Sequence, residues 1–208
     1  MTTVLMIFAA AYLVGGIPCG YLIGKAKGVD IRELGSRNIG ATNVTRTLGK
    51  PYGVLCFLLD FLKGLLPTLA TKLWLAPWLG APLEWAVVAV VFGAVIGHMK
   101  SPYLRFQGGK GVSTAAGAVL AITPFGALIA MLVWVLVFKA TRYVSLASMV
   151  AALSLPLAAT LLSVAGVSPL PGLLLGFLGV VAAATIAKHH SNIARLLNGT
   201  ENRFQKKA

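Results

Sequence analysis

Acidic residues are scarce in this chain. Its 208 residues include only five, Asp30, Glu33, Asp60, Glu84 and Glu201, against 18 Lys and Arg, which leaves a net charge of +13. Charge of either sign is short too: 11% of residues are charged, less than half of the roughly 25% found in typical soluble proteins. Residues 1–24, 111–138 and 143–187 contain no charged side chain, and 58% of the chain is hydrophobic. These shortages exclude a water-soluble fold and predict an integral membrane protein. Cysteine is limited to Cys19 and Cys56, both inside apolar segments without metal or redox spacing, so the thiols read as small hydrophobes. No segment is long and polar enough to form a basic nucleic-acid-binding domain. The cation excess therefore points to anionic lipid or an anionic substrate.

Several catalytic signatures are missing as well. The H-x-x-x-x-D pair with which many lipid acyltransferases deprotonate a hydroxyl does not occur: the fifth position after His98 is Tyr103, after His189 it is Ala194, and after His190 it is Arg195. No carboxylate pair supports glycoside or two-metal chemistry, and three histidines without acidic neighbours make a poor metal site, so no metal or other cofactor is expected. Any catalysis has to rely on positioning and on cations that stabilise negative charge.

What is present is a set of apolar segments separated by cations. The first, residues 2–24, ends at Lys25 and Lys27 without a small-residue cleavage site, and reads as a retained helix rather than a signal peptide. Others cover about 52–72 and 84–98. The loops 25–50 and 99–110 are rich in Lys and Arg, which places them in the cytoplasm; the loop of about 73–83, with Trp74, Pro77, Trp78 and Pro82 and no cation, fits an outer interface. As one long helix, 111–138 would put Lys139, Arg142, Lys188, Arg195, Arg203, Lys206 and Lys207 outside. A turn at Ala121-Ile122-Thr123-Pro124 makes two short helices of about 11 and 15 residues and returns all seven to the cytoplasm. Such short segments must pair as a partly re-entrant hairpin shielded by neighbours. Gly166, Ser168, Pro169, Pro171 and Gly172 divide the last apolar run into helices of about 143–164 and 171–188. The expected fold is an all-α, polytopic bundle of seven transmembrane segments forming one membrane domain over 1–208, with the N-terminus outside and the C-terminus inside. Of the two cations left over, Lys63 pairs with Asp60 inside the membrane and Lys72 can snorkel outward.

Polar groups able to act on a substrate gather in three places. The first is Gly35-Ser36-Arg37-Asn38-Ile39-Gly40-Ala41-Thr42-Asn43-Val44-Thr45-Arg46, whose glycines, hydroxyls, amides and guanidinium suit a phosphate nest or, equally, a loop resting on anionic headgroups. The second is Gly97-His98 with Gln107-Gly108-Gly109-Lys110-Gly111-Val112-Ser113-Thr114. Gly111 after Lys110 rules out a nucleotide P-loop, but glycine-exposed amides and a lysine at a helix start still form an anion site. His98 alone on an apolar helix end reads as a structural histidine. The third has two parts, Arg142-Tyr143-Val144-Ser145-Leu146-Ala147-Ser148 and Lys188-His189-His190-Ser191-Asn192 with Arg195 and Glu201 beyond. Ser145 and Ser148 share a helix face, as do His189 and Asn192, which suits a small polyol phosphate or, more plainly, helix capping and interhelical hydrogen bonding. On the residues alone, an enzyme and a small transporter of an anionic solute stand level.

The motifs Gly35-Ser36-x-Asn38-x-Gly40-Ala41-Thr42-Asn43-Val44-x-Arg46, Gly97-His98 with Gly108-Gly109-Lys110-Gly111-Val112-x-Thr114, and Arg142-Tyr143-Val144-Ser145-x-x-Ser148 resemble those of the bacterial acyl-phosphate:glycerol-3-phosphate acyltransferases. The likeness extends through His189, Asn192-Ile193-x-Arg195-Leu196 and Gly199-x-Glu201. It implies a seven-helix enzyme of the bacterial inner membrane that moves a fatty acyl group from acyl phosphate to the 1-position of sn-glycerol 3-phosphate, giving lysophosphatidate and phosphate in the first acylation of phospholipid synthesis. It further implies that Arg46, Lys110, His189 and Asn192 are catalytic, and that Ser36, Asn38, Thr42, Asn43, Gly108, Gly109, Ser145, Ser148 and Glu201 bind substrate. Acyl phosphate, glycerol 3-phosphate and membrane lipid would be the partners, with no nucleic acid; the oligomeric state is left open, a monomer being compatible. The resemblance leaves the proton acceptor as either His189 or a substrate phosphate oxygen, and Glu201 as either a substrate contact or the partner of a motif cation.

Overall fold

The computed structural model describes residues 1–204, and its regular elements are all helices. Lys206 and Lys207, counted above with the cytoplasmic cations, lie outside the described residues. Two compact units divide the chain, Met1–Ile122 and Thr123–Ala208.

In the first unit, helix α1 (Thr2–Gly16) stops at Ile17-Pro18, where proline has no N–H to continue the ladder, and α2 (Cys19–Ala26) resumes it. Together they form a 25-residue candidate span. The first polar motif, anticipated as loop, folds its second half into α3 (Ala41–Leu48), which ends at Gly49 with φ of 98°. Helix α4 (Lys50–Trp78) is longer than the expected 52–72 segment, because a π turn over Thr71–Leu75 carries it on past Lys72. Pro67 lies inside this helix and Pro77 in its last turn, next to its end at Trp78. Trp74 and Trp78, assigned to a loop by sequence, are therefore exposed on the end of this helix. Helix α5 (Leu83–Met99) follows, and the unit closes with the short α6 (Val112–Ile122).

Helix packing in this unit depends on bare backbone. Gly93 and Gly97 of α5 press on the carbonyls of Phe8 and Tyr12 in α1, while Gly64 of α4 meets the Thr114 carbonyl of α6 and Gly117 of α6 meets that of Phe61. Small residues let helices approach closely where no hydrophobic force drives them together. Under the first motif, Ile23, Ile31, Ile39, Val44, Cys56 and Leu104 form a buried cluster that anchors residues 28–48 to α2 and α4. The anticipated Asp60–Lys63 pair is present at 2.8 Å, and Lys63 Nζ also donates to the Ile17 carbonyl at 2.7 Å, which the break before Pro18 leaves available. Lys72 does more than snorkel. Its Nζ donates to the Ala121 carbonyl at 3.1 Å and so caps the C-terminus of α6.

The second unit contains α7 (Pro124–Thr141), α8 (Val144–Val164), α9 (Gly172–Ala187) and α10 (His190–Leu197). The break after α6 falls at Thr123, with Pro124 starting a new helix as the sequence suggests. At 18 residues α7 is longer than the expected 15 or so, and it shows Phe125, Leu128, Leu132 and Leu136 to the outside. Helix α8 packs against both α7 and α9. The α9–α10 pair bends by 56° at His189, a feature the expected 171–188 segment did not include. Five helices are long and apolar enough to cross a membrane, or six if the bent pair is one span, and α6 is a further, shorter apolar helix.

Candidate active site

In the first motif, one buried side chain organises the loop. Asn43 Oδ1 accepts the Ser36 N–H at 2.8 Å, while Nδ2 donates to the carbonyls of Ile31 and Leu34 at 3.1 and 3.0 Å. The Asn43 carboxamide, a substrate contact in the expectation from sequence, is thus bonded through both its oxygen and its nitrogen to the loop's own backbone. Asn38 does a smaller version of this, its Oδ1 accepting the Gly40 N–H at 2.8 Å where α3 begins. With the loop held in this way, Ser36, Arg37 and Arg46 are exposed and Thr42 is half-buried in the first turn of α3. Nearby, Arg32 grips Asp30 through Nε at 3.0 Å and Nη2 at 2.7 Å and lies 4.7 Å over the Tyr21 ring. These hydrogen bonds hold the Asp30 carboxyl down at about 2. Arg32, Tyr21, Tyr103, Leu104, Arg105 and Gln107 line a cavity of about 420 Å³, so both cation-rich loops of this unit reach one opening.

The second motif is built on the C-terminus of α5. Helix ends leave carbonyls without partners, and the Gly109 N–H fills one of them by donating to the His98 carbonyl at 3.0 Å. Gly108 lies against the same carbonyl so closely that a side chain there would strike it, and Gly111, at φ of 80°, turns the chain into α6. Lys110 is half-buried directly before the N-terminus of α6, as the sequence anticipated. Lys110 and the first N–H groups of α6 thereby lie together at the positive end of a helix dipole, an arrangement suited to phosphate.

In the second unit the polar residues converge on one carboxylate. Glu201 Oε1 accepts from Ser145 Oγ at 2.8 Å and from Asn192 Nδ2 at 2.7 Å, while Oε2 accepts from Arg195 Nε at 2.7 Å. Burial pushes the Glu201 carboxyl up, but the hydrogen bonds from Asn192, Arg195 and Ser145 outweigh it and leave the group below its usual range. The sequence left Glu201 as substrate contact or cation partner; its geometry is that of a hub that pairs with Arg195 and orients Asn192 and Ser145. Ser148 is 4% exposed and its Oγ accepts from Trp134 Nε1 at 3.1 Å, a partner that no motif signalled. His189, 2% exposed at the α9–α10 bend, places Nδ1 2.8 Å from the Thr185 carbonyl. That contact requires the Nδ1–H tautomer, which makes Nε2 the basic nitrogen. His190 is exposed, and of the two adjacent histidines only His189 shares the buried surroundings of Asn192.

Within its own unit, then, each group of motif residues is assembled: Ser36, Asn38 and Asn43 in one loop, Gly108, Gly109 and Lys110 on the end of α5, and Ser145, Asn192 and Glu201 in one network. Sequence reasoning missed the carbonyls of His98 and Thr185 and the indole of Trp134. Backbone carbonyls carry no residue-type signal, and Trp134 stands two helical turns or more from any motif residue on its own helix.

Hydroxyl, amide, imidazole and cationic groups set among apolar spans, with no paired carboxylates, suit a polytopic membrane protein that handles phosphate-bearing molecules. Residues 5–199 match the model of one family, Glycerol-3-phosphate acyltransferase, and the chain belongs to that family. It is 47% identical over 207 residues to the glycerol-3-phosphate acyltransferase of Geobacter sulfurreducens, covering 99% of this chain and 100% of that one, and 48% identical over 201 residues to that of Aquifex aeolicus, covering 96% and 97%. Among solved structures it is similar to PlsY (YgiH), an integral membrane glycerol 3-phosphate acyltransferase. The glycerol 3-phosphate form has a TM-score of 0.83 and 45% identity, with 97% of this chain and 96% of that one covered. The lysophosphatidic acid form has a TM-score of 0.80 and 44% identity, with 97% and 95% covered. The chain is thus a multi-pass membrane glycerol-3-phosphate acyltransferase of phospholipid synthesis, and the transporter reading is set aside.

Proposed function

We propose that this enzyme takes its acyl group from acyl phosphate and places it on the sn-1 hydroxyl of glycerol 3-phosphate, releasing lysophosphatidate and inorganic phosphate. The observation that carries this reading is the glycine loop on the end of α5, which sets Lys110 directly before the N-terminus of α6. Such a site recognises phosphate, and both substrates carry one. The glycerol 3-phosphate and lysophosphatidic acid forms of the similar structures support the acceptor and the product.

In this reading Arg46, Lys110 and Ser36 hold phosphate groups, Ser148 adds a hydroxyl contact, and His189 and Asn192 hold the glycerol hydroxyl. The hydroxyl oxygen attacks the acyl carbonyl carbon, the carbon–oxygen bond to phosphate breaks, and the departing phosphate takes the bond's electron pair. Cations and amides stabilise the negative charge on the carbonyl oxygen and on the leaving phosphate. The hydroxyl proton passes to a phosphate oxygen of the substrate. His189 suits holding better than proton abstraction, because a backbone carbonyl, not a carboxylate, stands behind its Nδ1 and gives little support to an imidazolium. His189→Gln is therefore expected to keep a measurable bond-forming rate at saturating substrate. We further propose a single membrane domain with the N-terminus outside and the substrate loops in the cytoplasm, an orientation that accounts for 16 of the 18 Lys and Arg.

The test is phosphate release by purified protein in detergent from palmitoyl phosphate and glycerol 3-phosphate. Release that requires the acceptor and falls about a hundredfold or more in Lys110→Ala supports the reading, in line with the usual cost of losing a charge-stabilising group. Undiminished release in that variant overturns the role of Lys110. A folded enzyme that ignores acyl phosphate but uses another acyl donor overturns the donor.

A further inference from the structure

We infer that His98 is a positioning residue for the acyl-transfer site: its ring is the floor on which the Gly108-Gly109-Lys110 loop rests, and Asp60 with Lys63 fixes that ring from behind. The inference rests on the proposed role of Lys110 as a phosphate-binding cation.

Sequence suggested an ordinary buried histidine, but its surroundings are more specific than that. His98 is 4% exposed, Asp60 1% and Lys63 7%, so three ionisable side chains from α4 and α5 share one closed space. Lys63 Nζ stands 2.8 Å from Asp60 Oδ1 and is tied to the α1–α2 break through Ile17. The carboxylate is therefore immobilised before it meets the imidazole. His98 Nδ1 faces that same Oδ1 at 3.6 Å and has no hydrogen-bond partner among the described residues. The polar edge of the ring is thus turned to the Asp60 carboxylate, and a flipped ring would place a carbon there instead of Nδ1.

The opposite edge meets the glycine loop. A Cβ on Gly109 would collide with His98 Nε2 and come within 3.1 Å of both Cδ2 and Cε1, and the Gly109 N–H already donates to the His98 carbonyl. A Cβ on Gly108 would strike that carbonyl as well. One residue thereby sets the height of the loop with its ring and its register with its backbone. Lys110 is the next residue along, so a shift of the ring moves the loop that carries the cation. A misplacement of about an ångström is enough to cost orders of magnitude in rate when a group must meet a transition state.

The experiment uses the full chain in detergent and compares His98→Ala, Gly109→Ala, the double variant, His98→Asn and Lys110→Ala. It records kcat and KM for glycerol 3-phosphate and the melting midpoint by tryptophan fluorescence. Gly109→Ala and His98→Ala are each expected to lower kcat/KM about tenfold or more, mainly through KM. In the double variant the new methyl occupies the space the ring vacates, so it should exceed Gly109→Ala alone by roughly threefold or more, a coupling that independent sites do not show. Loss in the double variant equal to the product of the single losses overturns the inference. His98→Asn decides the matter if His98→Ala does not fold, because it keeps a nitrogen near Asp60 but removes the floor. It should retain the melting midpoint more nearly than the alanine variant while KM stays raised, whereas an unchanged KM, at any midpoint, overturns the inference. Full activity in Lys110→Ala would instead defeat the underlying reading of the site, so the two failures are distinguishable.

Discussion

Glycine does different work in the two units. In Met1–Ile122, Gly15, Gly53, Gly64, Gly93, Gly97 and Gly117 all sit against a neighbouring segment so closely that a methyl group would collide with it. In the second unit, Gly172, Gly176 and Gly179 of α9 have nothing within 4 Å of where a Cβ would stand, among the described residues. The first unit brings its helices together largely by close approach of bare backbone, with the Asn43 side chain tying its first polar loop. The second holds its polar residues by side-chain hydrogen bonds to Glu201. A site made from backbone is sensitive to added volume, whereas one made from a carboxylate hub is sensitive to lost charge.

That contrast breaks if volume and charge have the same effects in both units. The largest expected effect is at Gly64, where alanine drives a methyl into the Thr114 carbonyl and separates α4 from α6. Overpacking of this kind costs about 1–3 kcal/mol, and thermal melts of the purified variant should show a clear fall in midpoint. Glu201→Gln is expected to come next, lowering the midpoint through loss of the Arg195 ion pair and weaker bonds from Asn192 and Ser145. Its pH dependence sharpens the point. The folded Glu201 carboxyl lies below its ordinary value, so its contribution is complete above the ordinary glutamate range and is lost as pH falls through the folded value. The native chain should lose stability across that acid window more steeply than Glu201→Gln. The smallest effect is expected from Gly176→Ala or Gly179→Ala, which should leave activity intact and raise helix stability by up to about 1 kcal/mol. A loss of stability there would show that α9 has the same tight packing as the first unit.

Much of this was legible without coordinates. Uncharged runs, proline and glycine breaks and the placement of cations gave the span positions, including the break at Thr123-Pro124, because a membrane imposes length and polarity rules on each segment separately. Sequence was less informative where a helix continued through proline, as α4 does across its π turn, and where a polar motif was itself helical, as in α3. Periodicity read over eight residues cannot separate those cases. At the site, residue types marked the three motifs as polar clusters, but not the bond each member makes. Asn43 and Glu201 carry motif signals like those of Ser36 and Asn192, yet the structure gives them loop-building and network-building work.

By itself the sequence determined the solvent, the approximate spans, the chemistry available and, through its motifs, the family, since all of these follow from residue type and local order. Only the tertiary structure decided which polar side chains are spent on the protein's own backbone, that Glu201 joins Ser145, Asn192 and Arg195, and that His98 stands between Asp60 and the glycine loop. The physical reason is range. Burial and helix formation are set within a few residues along the chain, whereas a hydrogen bond or a close contact between α4, α5 and the loop after them depends on how distant segments pack.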